Sequence, residues 1–507
     1  MLLTLQGAGP LYLRLSEALR LAIKEGRLCP GDRLPGTRTL ADELGISRTA
    51  VLMAYAQLDS EGVTFSKVGR GTFVQHREPV SAETVSAVPA SRTAGASPKL
   101  PMPLSHAARL AHQVLSEAER SDPRLDADVI DLSEVRTVQD KRGQRQWRKA
   151  VIESIDADEL PANAEGLESL RRAVARLLRE DRGVLVEPAD VIVVNGVHQA
   201  RDMIARVLVD PGSVVGIGDP GYRGVRSAFA AQGARLVPCA LDEGGLDIRR
   251  HATQLAEASV LYLMPDHHFP TGASMPLERR QAVLDWASQR AVYLVEDDFD
   301  AEHRFNVRTT PPLLALDAHE RVIYVGSFAR MHFPFLRLAF VIAPPALRPF
   351  LHAYKWLADR GAGTLVQEAM ARYIDWGDYA RNLRRLSGPL LRHRRVLMES
   401  LSLHLKGAVR FNENDGSGNL LLHFPALPAA RGEAFLAAAL REGVRLRSAQ
   451  GYFMRACPHV IILLRYHGLE ESRLAEAVER IARAYFATLA AMEPAANQPG
   501  FGNRARA

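Results

Sequence analysis

The stretch LPGTRTLADELGISR, residues 34–48, decides the fold of the amino-terminal part of the chain. A helix is predicted to begin at Thr37 as its N-cap and to end at Gly45, because glycine suits the left-handed residue that closes a helix. The next helix is predicted to start at the N-cap Ser47. The short turn from Gly45 to Ser47 therefore joins two helices in the manner of a helix-turn-helix.

The flanking sequence completes a small domain, which we assign to residues 1–75. Residues 11–28 carry an apolar stripe at helical spacing, so a further helix precedes the turn. After the last helix, FSKVGRGTFV (65–74) alternates around a glycine-rich turn and predicts a β-hairpin wing. The inward positions of the third helix are Val51, Ala54, Tyr55 and Leu58.

The order of these elements closely resembles the winged helix of GntR-type transcription regulators. The resemblance implies a double-stranded DNA operator as partner, because the second helix of such a unit places its first residues in the major groove. Solvated charges on a small helical module are the alternative, and nine basic against seven acidic residues in 1–75 do not decide between the two. The predicted DNA-binding residues are Arg38, Ser47, Arg48, Thr49, Lys67, Gly69, Arg70 and Gly71.

Composition and charge limit the class of the whole chain. The 507 residues, 47% hydrophobic and 24% charged, predict several globular domains and exclude a disordered or fibrous protein. Apolar runs stay well below the roughly 18 residues of a membrane span, and charged residues occur early, so we expect a cytoplasmic protein without membrane segments. The cysteines Cys29, Cys239 and Cys457 are far apart, which argues against a disulfide framework and against a metal site.

The larger part of the chain follows a linker that we assign to residues 76–128, the first part of which is rich in Ala, Ser, Pro and Thr. In the body, 129–490, short β-rich runs alternate with helical patterns, which predicts an α/β fold with a mainly parallel sheet. Residues 491–507 are expected to form a flexible tail.

Several motifs in this body, taken in order, resemble the fold-type I (aspartate-aminotransferase-like) domain that MocR-type members of the GntR family carry. The resemblance covers nearly the whole chain and implies a homodimer, a small-molecule effector and pyridoxal 5′-phosphate as cofactor. Representative motifs are VIVVNGVHQA (191–200), DPGYRG (219–224), PDHHFPTGASM (265–275), EDDFDAEHRF (296–305) and GSFARMHFPFLRLAF (326–340).

Carried over position by position, the resemblance assigns roles around the cofactor. It implies a phosphate turn, a stacking aromatic residue, a carboxylate for the ring nitrogen and an arginine for the phosphate. It also marks the positions of a tyrosine that donates to the ring oxygen and of the lysine that forms an imine. The implied phosphate turn is Asn195, Gly196, Val197 and His198, the stacking residue is Tyr222, the carboxylate is Asp297 and the phosphate arginine is Arg337. Phe299 occupies the position of the tyrosine, and Arg330 occupies the position of the lysine.

The chain departs from the family pattern where catalysis takes place. Arg330 cannot form the imine, because a guanidinium stays protonated and its lone pairs are delocalised. Phe299 lacks the hydroxyl, and Asp266 and His268 stand where the family usually has Ser and Gln. The substrate-carboxylate arginine falls on Leu463, and Arg465, two residues on, is a candidate for effector binding.

Three functions remain open from the sequence. The first is a regulator whose body dimerises and senses a small molecule, with pyridoxal phosphate held non-covalently. The second is a regulator whose body has lost this cofactor and serves as a dimerisation scaffold or binds a different anionic ligand. The alternative is an active aminotransferase with an accessory DNA-binding module. We expect no enzymatic activity, because no lysine lies between Lys149 and Lys355 to replace the missing one. Asp297 at a loop edge and Tyr222 in a plain turn are the simpler alternatives to a cofactor site.

Overall fold

The computed structural model describes residues 9–67, 70–75, 104–118, 128–134, 140–156, 163–298, 310–328, 336–412 and 418–492. The chain divides into two compact units, residues 1–102 and 103–507.

The amino-terminal unit is a three-helix domain with a two-stranded wing. Its elements are α1 (Leu11–Lys24), α2 (Thr37–Leu44), α3 (Arg48–Ser60), β1 (Thr64–Lys67) and β2 (Gly71–Val74). The strands pair antiparallel with Lys67 opposite Gly71. Val51, Ala54, Tyr55 and Leu58 are buried, as their helical spacing predicted.

The amino-terminal end of α2 differs from the prediction by one residue. Gly36 occupies the N-cap position, and its carbonyl oxygen accepts the hydrogen bond from the N–H of Leu40 (2.9 Å). Thr37 is therefore the first helical residue and not the cap. Gly45 closes the helix with a φ of 62°, as predicted.

The second unit contains thirteen helices and thirteen strands within its described residues. The helices are α4 (His106–Ala118), α5 (Lys141–Ile155), α6 (Glu168–Arg182), α7 (Val197–Leu208), α8 (Arg223–Ala231), α9 (Ile248–His251), α10 (Leu277–Arg290), α11 (Leu313–Leu316), α12 (Arg348–Asp359), α13 (Thr364–Asp375), α14 (Asp378–His404), α15 (Gly432–Arg441) and α16 (Glu471–Ala490). The strands are β3 (Ile130–Asp131), β4 (Val191–Val194), β5 (Val214–Asp219), β6 (Arg235–Asp242), β7 (Gly245–Leu246), β8 (Ala258–Leu263), β9 (Tyr293–Asp298), β10 (Val322–Ser327), β11 (Ala339–Ile342), β12 (Asn419–Pro428), β13 (Val444–Arg445), β14 (Arg447–Ser448) and β15 (His459–Arg465).

An eight-stranded sheet forms the centre of this unit, in the order β4-β11-β10-β9-β8-β5-β6-β7. The strands from β10 to β6 run parallel to their neighbours, whereas β11 and β7 pair antiparallel. This is the mainly parallel sheet that the sequence predicted. The carboxyl ends of β5, β8, β9 and β10 meet at one edge, where ligands bind in open α/β sheets.

A smaller sheet, β12-β15-β14, packs its apolar residues against α14, α15 and α16. The last of these helices, α16, is 20 residues long and amphipathic. Throughout the described ranges, no helix combines the length and apolar character needed to cross a membrane.

Helix α4 lies within residues 106–118, inside the range 76–128 that we assigned to the linker. Its contacts are with α8 of the second unit. Residues 106–118 of the assigned linker range are thus helical, because an amphipathic segment follows the Pro- and Ser-rich stretch.

Candidate functional site

The amino-terminal unit presents candidate DNA-contacting side chains at the start of α3. Ser47 Oγ accepts a hydrogen bond from the backbone N–H of Ala50 (3.2 Å), so Ser47 caps the helix as predicted. Arg48 and Thr49 follow in the first turn, and both residues are exposed. This end of the second helix is the part of a helix-turn-helix that enters the major groove.

Further basic side chains lie on α2 and on the wing. Arg38, Lys67 and Arg70 are exposed, so their charges are available to phosphate groups. Gly71 begins the second wing strand with a φ of 109°, a conformation that favours glycine. Gly69 lies outside the described residues.

In the second unit, the candidate phosphate turn connects β4 with α7. Gly196 has a φ of 82°, and a Cβ atom there would lie 3.5 Å from Nε of Arg337. The structure therefore brings the predicted turn and the predicted phosphate arginine together. Val197 begins α7, and the first N–H groups of a helix have no partners within it, so they are suited to bind an anion.

A partly buried carboxylate group fixes the side chains of this turn. Asp359 accepts hydrogen bonds from the side-chain amides of Asn195 and Gln199, each at 2.6 Å. Lys355 donates to both oxygens of the same carboxylate, at 2.5 and 2.7 Å. The side-chain amide of Asn195 is thus held in place by Asp359.

The side chain of Asp297, near the carboxyl end of β9, lies in a buried ionic cluster. Arg201 donates to Asp297 Oδ2 from Nη2 at 2.5 Å and from Nε at 3.2 Å. The Tyr262 hydroxyl donates to the same oxygen and accepts from Arg201 Nε at 2.8 Å. Asp297 Oδ1 is buried and has no hydrogen-bond partner among the described residues.

Tyr222 lies beside this cluster at the start of α8. Its ring centroid is 4.7 Å from Cζ of Arg201, a cation–π distance. The Tyr222 hydroxyl hydrogen-bonds with Nε2 of His198 at 3.1 Å. The aromatic residue, the phosphate turn and the carboxylate that the sequence pointed to are therefore neighbours in space.

Asp266 and His268, the two departures in the PDHHFPTG motif, are both buried or nearly so. Asp266 pairs with Arg182 at 2.7 Å and with Arg280 at 2.5 Å. Burial alone would raise the pKa of Asp266, but the two guanidinium groups lower it. His268 Nε2 contacts the carbonyl oxygen of Pro220 at 2.9 Å, and burial lowers the pKa of the imidazole to about 4.

The remaining predicted positions lie on β15 or outside the described residues. Leu463 is completely buried in the apolar core, and Arg465 ends the strand opposite Asn419. Phe299 and Arg330 lie outside the described residues. Among the residues described, no group of three His, Cys, Asp or Glu side chains is arranged to hold a metal ion.

Several residues that build this site were not singled out from the sequence, among them the cations Arg201 and Lys355 and the carboxylate Asp359. The sequence does contain a signal for the two cations, Arg201 and Lys355. Arg201 falls on the buried stripe of α7 together with Ile204 and Ala205, and Lys355 falls on that of α12 together with Leu351. A basic residue at an apolar position of a helix indicates a buried partner.

Comparisons with known proteins agree with this architecture. Residues 11–74 match the family of bacterial regulatory proteins called the gntR family, and residues 127–481 match aminotransferase class I and II. The probable rhizopine catabolism regulatory protein MocR of Rhizobium meliloti is 30% identical over 94% of each chain. The pyridoxine biosynthesis transcriptional regulator PdxR of Corynebacterium glutamicum is 30% identical over 76% of this chain and 77% of its own.

A solved structure supports the fold of the second unit. The α-aminoadipate aminotransferase LysN from Thermus thermophilus is similar with a TM-score of 0.65 and 26% identity. The similarity covers 74% of this chain and 98% of the aminotransferase.

We expect His268 to make stability depend on pH below neutrality. Between about pH 4 and pH 6.5 the unfolded chain binds a proton at this histidine and the folded chain does not, so stability falls as the pH falls through this range. The full effect is about 3 kcal/mol in the free energy of unfolding.

The variant His268→Gln should lose this contribution, because an amide can still donate to Pro220 without titrating. Urea unfolding at a series of pH values measures the slope. His319→Gln is the control, since His319 is exposed and should keep the slope of the unsubstituted chain. An unchanged slope in His268→Gln would show that His268 is not the group responsible.

Proposed function

The chain belongs to the MocR-type GntR transcription regulators, and from this premise we propose that it binds a DNA operator and senses a small ligand without catalysing transamination. The ligand is pyridoxal phosphate held non-covalently or another small anion. We further propose a homodimer, since two winged helices then read paired half-sites.

The capped start of α3 carries the operator-binding part of the proposal. Ser47 completes the hydrogen bonding of the first turn, and Arg48 and Thr49 extend from that turn into solvent. The helix dipole places partial positive charge at the same end, which favours a polyanion. The exposed Lys67 and Arg70 on the wing add phosphate contacts that are independent of sequence.

The phosphate end of the second-unit site fits pyridoxal phosphate. The start of α7 and Arg337 would hold its phosphate, Tyr222 would contact the ring, and Asp297 Oδ1, which has no hydrogen-bond partner among the described residues, is an acceptor at the ring end of the site. When covalently bound in an enzyme, this cofactor serves as an electron sink for bonds at a substrate carbon. In this chain the surrounding residues would bind the ligand and orient its ring. Arg330 offers no amine for covalent attachment.

The alternative, an active aminotransferase, needs another lysine at the site. Lys355 is near the turn before α7, because Lys355 and Asn195 both donate hydrogen bonds to Asp359. The ammonium group of Lys355 donates to both oxygens of the Asp359 carboxylate. Lys355 thereby positions Asp359, which in turn holds Asn195 and Gln199. This arrangement supports a structural role for Lys355 and favours the regulator.

Ligand binding would act on DNA through the equilibrium between arrangements of the dimer. A ligand changes that equilibrium only by binding one arrangement better than another. A site built from α7, α8 and β9 can do so, because these elements approach one another at the phosphate turn and at Tyr222. The sensed ligand then alters operator affinity without any chemical step.

We expect Arg48→Ala to weaken operator binding by about 1–3 kcal/mol if the side chain contacts a base edge. The operator would first be selected from a random double-stranded library with the full chain, and binding then measured by fluorescence anisotropy. Arg20→Ala is the control, because Arg20 is on the same unit but pairs with Glu61 at 2.6 Å. Equal affinity of Arg48→Ala and the unsubstituted chain would remove Arg48 from the interface.

We expect the chain to yield no lysine-linked cofactor after incubation with pyridoxal phosphate and reduction with borohydride, as measured by peptide mass mapping. The variant Arg330→Lys should yield one at position 330, because it restores the amine that the family uses. Arg337→Lys serves as the control for a lysine placed near the phosphate instead. A modified native lysine in the unsubstituted chain would argue for the aminotransferase.

A further inference from the structure

Arg201 makes both contacts that a protonated ring nitrogen would need in this site. Its guanidinium is a planar cation, 4.7 Å from the ring centroid of Tyr222 and 2.5 Å from Asp297 Oδ2. Arg201 is 5% exposed and Asp297 is 2% exposed, so solvent screens this ion pair only weakly. The carboxylate already has a cation as its partner before any ligand binds.

The electrostatic consequence follows from counting charges. A lone Asp297 carboxylate would attract a protonated pyridine nitrogen with one full opposite charge. With Arg201 in place the pair is neutral, and a cationic ring would also be repelled by the guanidinium at short range. Burial alone would lower the pKa of Arg201, but its interactions with Tyr262 and Asp297 raise it, so the guanidinium stays charged.

One acceptor of the cluster remains for a ligand. Tyr262 and Arg201 both use Asp297 Oδ2, whereas Oδ1 is buried without a partner within the described part of the chain. A buried carboxylate oxygen without a hydrogen bond is costly, so a ligand that donates to it gains free energy. An uncharged hydroxyl or amide N–H makes that bond without adding a cation beside Arg201.

We propose that Arg201 neutralises Asp297, so that the site prefers a phosphorylated ligand whose ring end carries an uncharged hydrogen-bond donor over one with a protonated ring nitrogen. The proposal rests on the ligand-binding function proposed above. The start of α7 and Arg337 bind the phosphate, and Asp297 Oδ1 accepts the hydrogen bond from the donor. The pair thereby changes a cofactor site into a site with a different specificity.

Isothermal titration calorimetry with two probes tests this specificity. The probes are pyridoxal 5′-phosphate and 3-hydroxybenzyl phosphate. The second probe carries a neutral hydroxyl at the ring position meta to the phosphate arm, which is the position of the ring nitrogen in pyridoxal phosphate. The unsubstituted chain should bind 3-hydroxybenzyl phosphate at least tenfold more tightly. Arg201→Leu should lose or reverse this preference, because it leaves the charge of Asp297 without its internal partner.

Two controls separate the possible results. Arg206→Leu removes another arginine of α7, one that is exposed and pairs with Asp202, and should keep the preference of the unsubstituted chain. Arg201→Lys keeps the positive charge and should therefore also keep the preference for 3-hydroxybenzyl phosphate. The preference of the unsubstituted chain needs no variant, so it decides the proposal even if Arg201→Leu does not fold.

Tighter binding of pyridoxal phosphate to the unsubstituted chain, or equal binding of the two probes, overturns the role of Arg201 and leaves the ligand-sensing function standing. Failure of both probes and of inorganic phosphate to bind any variant instead overturns the ligand site itself, and this proposal with it. The two failures are therefore distinguishable.

Discussion

The buried ion pair between Arg201 on α7 and Asp297 on β9 constrains the rest of the candidate ligand site. Removing two charges from water is costly, and the cost is offset only when the partners are close and further hydrogen bonds satisfy them. Tyr262 supplies such a bond, and the Tyr222 ring covers the guanidinium. The same pair ties α7, which begins directly after Gly196, to the carboxyl end of β9.

A second, partly buried ion pair performs a similar task at the turn before α7. Lys355 and Asp359 on α12 hold the amide groups of Asn195 and Gln199, and so fix the turn that precedes α7. The side chains of the candidate site are thus held by internal ion pairs. Such pairs fix their geometry before any ligand arrives.

The sequence predicted the winged helix and the parallel sheet because both follow from local signals. The cap at Ser47, the left-handed Gly45 and the alternation around the wing act within a few residues of one another. Arg201 and Asp297 are 96 residues apart, and Asn195 and Asp359 are 164 apart, so their pairing depends on the tertiary fold. The N-cap of α2 was misplaced by one residue because Thr37 and Gly36 both suit that position.

The protonation state of a bound ring nitrogen reports most directly on the central claim that Arg201 neutralises Asp297. The ¹⁵N chemical shift of ring-labelled pyridoxal 5′-phosphate, bound at saturating concentration to the unsubstituted chain, distinguishes a neutral from a protonated nitrogen. If Arg201 neutralises Asp297, the unsubstituted chain gives the signal of a neutral nitrogen. The variant Arg201→Leu then gives the signal of a protonated nitrogen. A protonated nitrogen in the unsubstituted chain would contradict it, because Asp297 would then be acting as an uncompensated carboxylate.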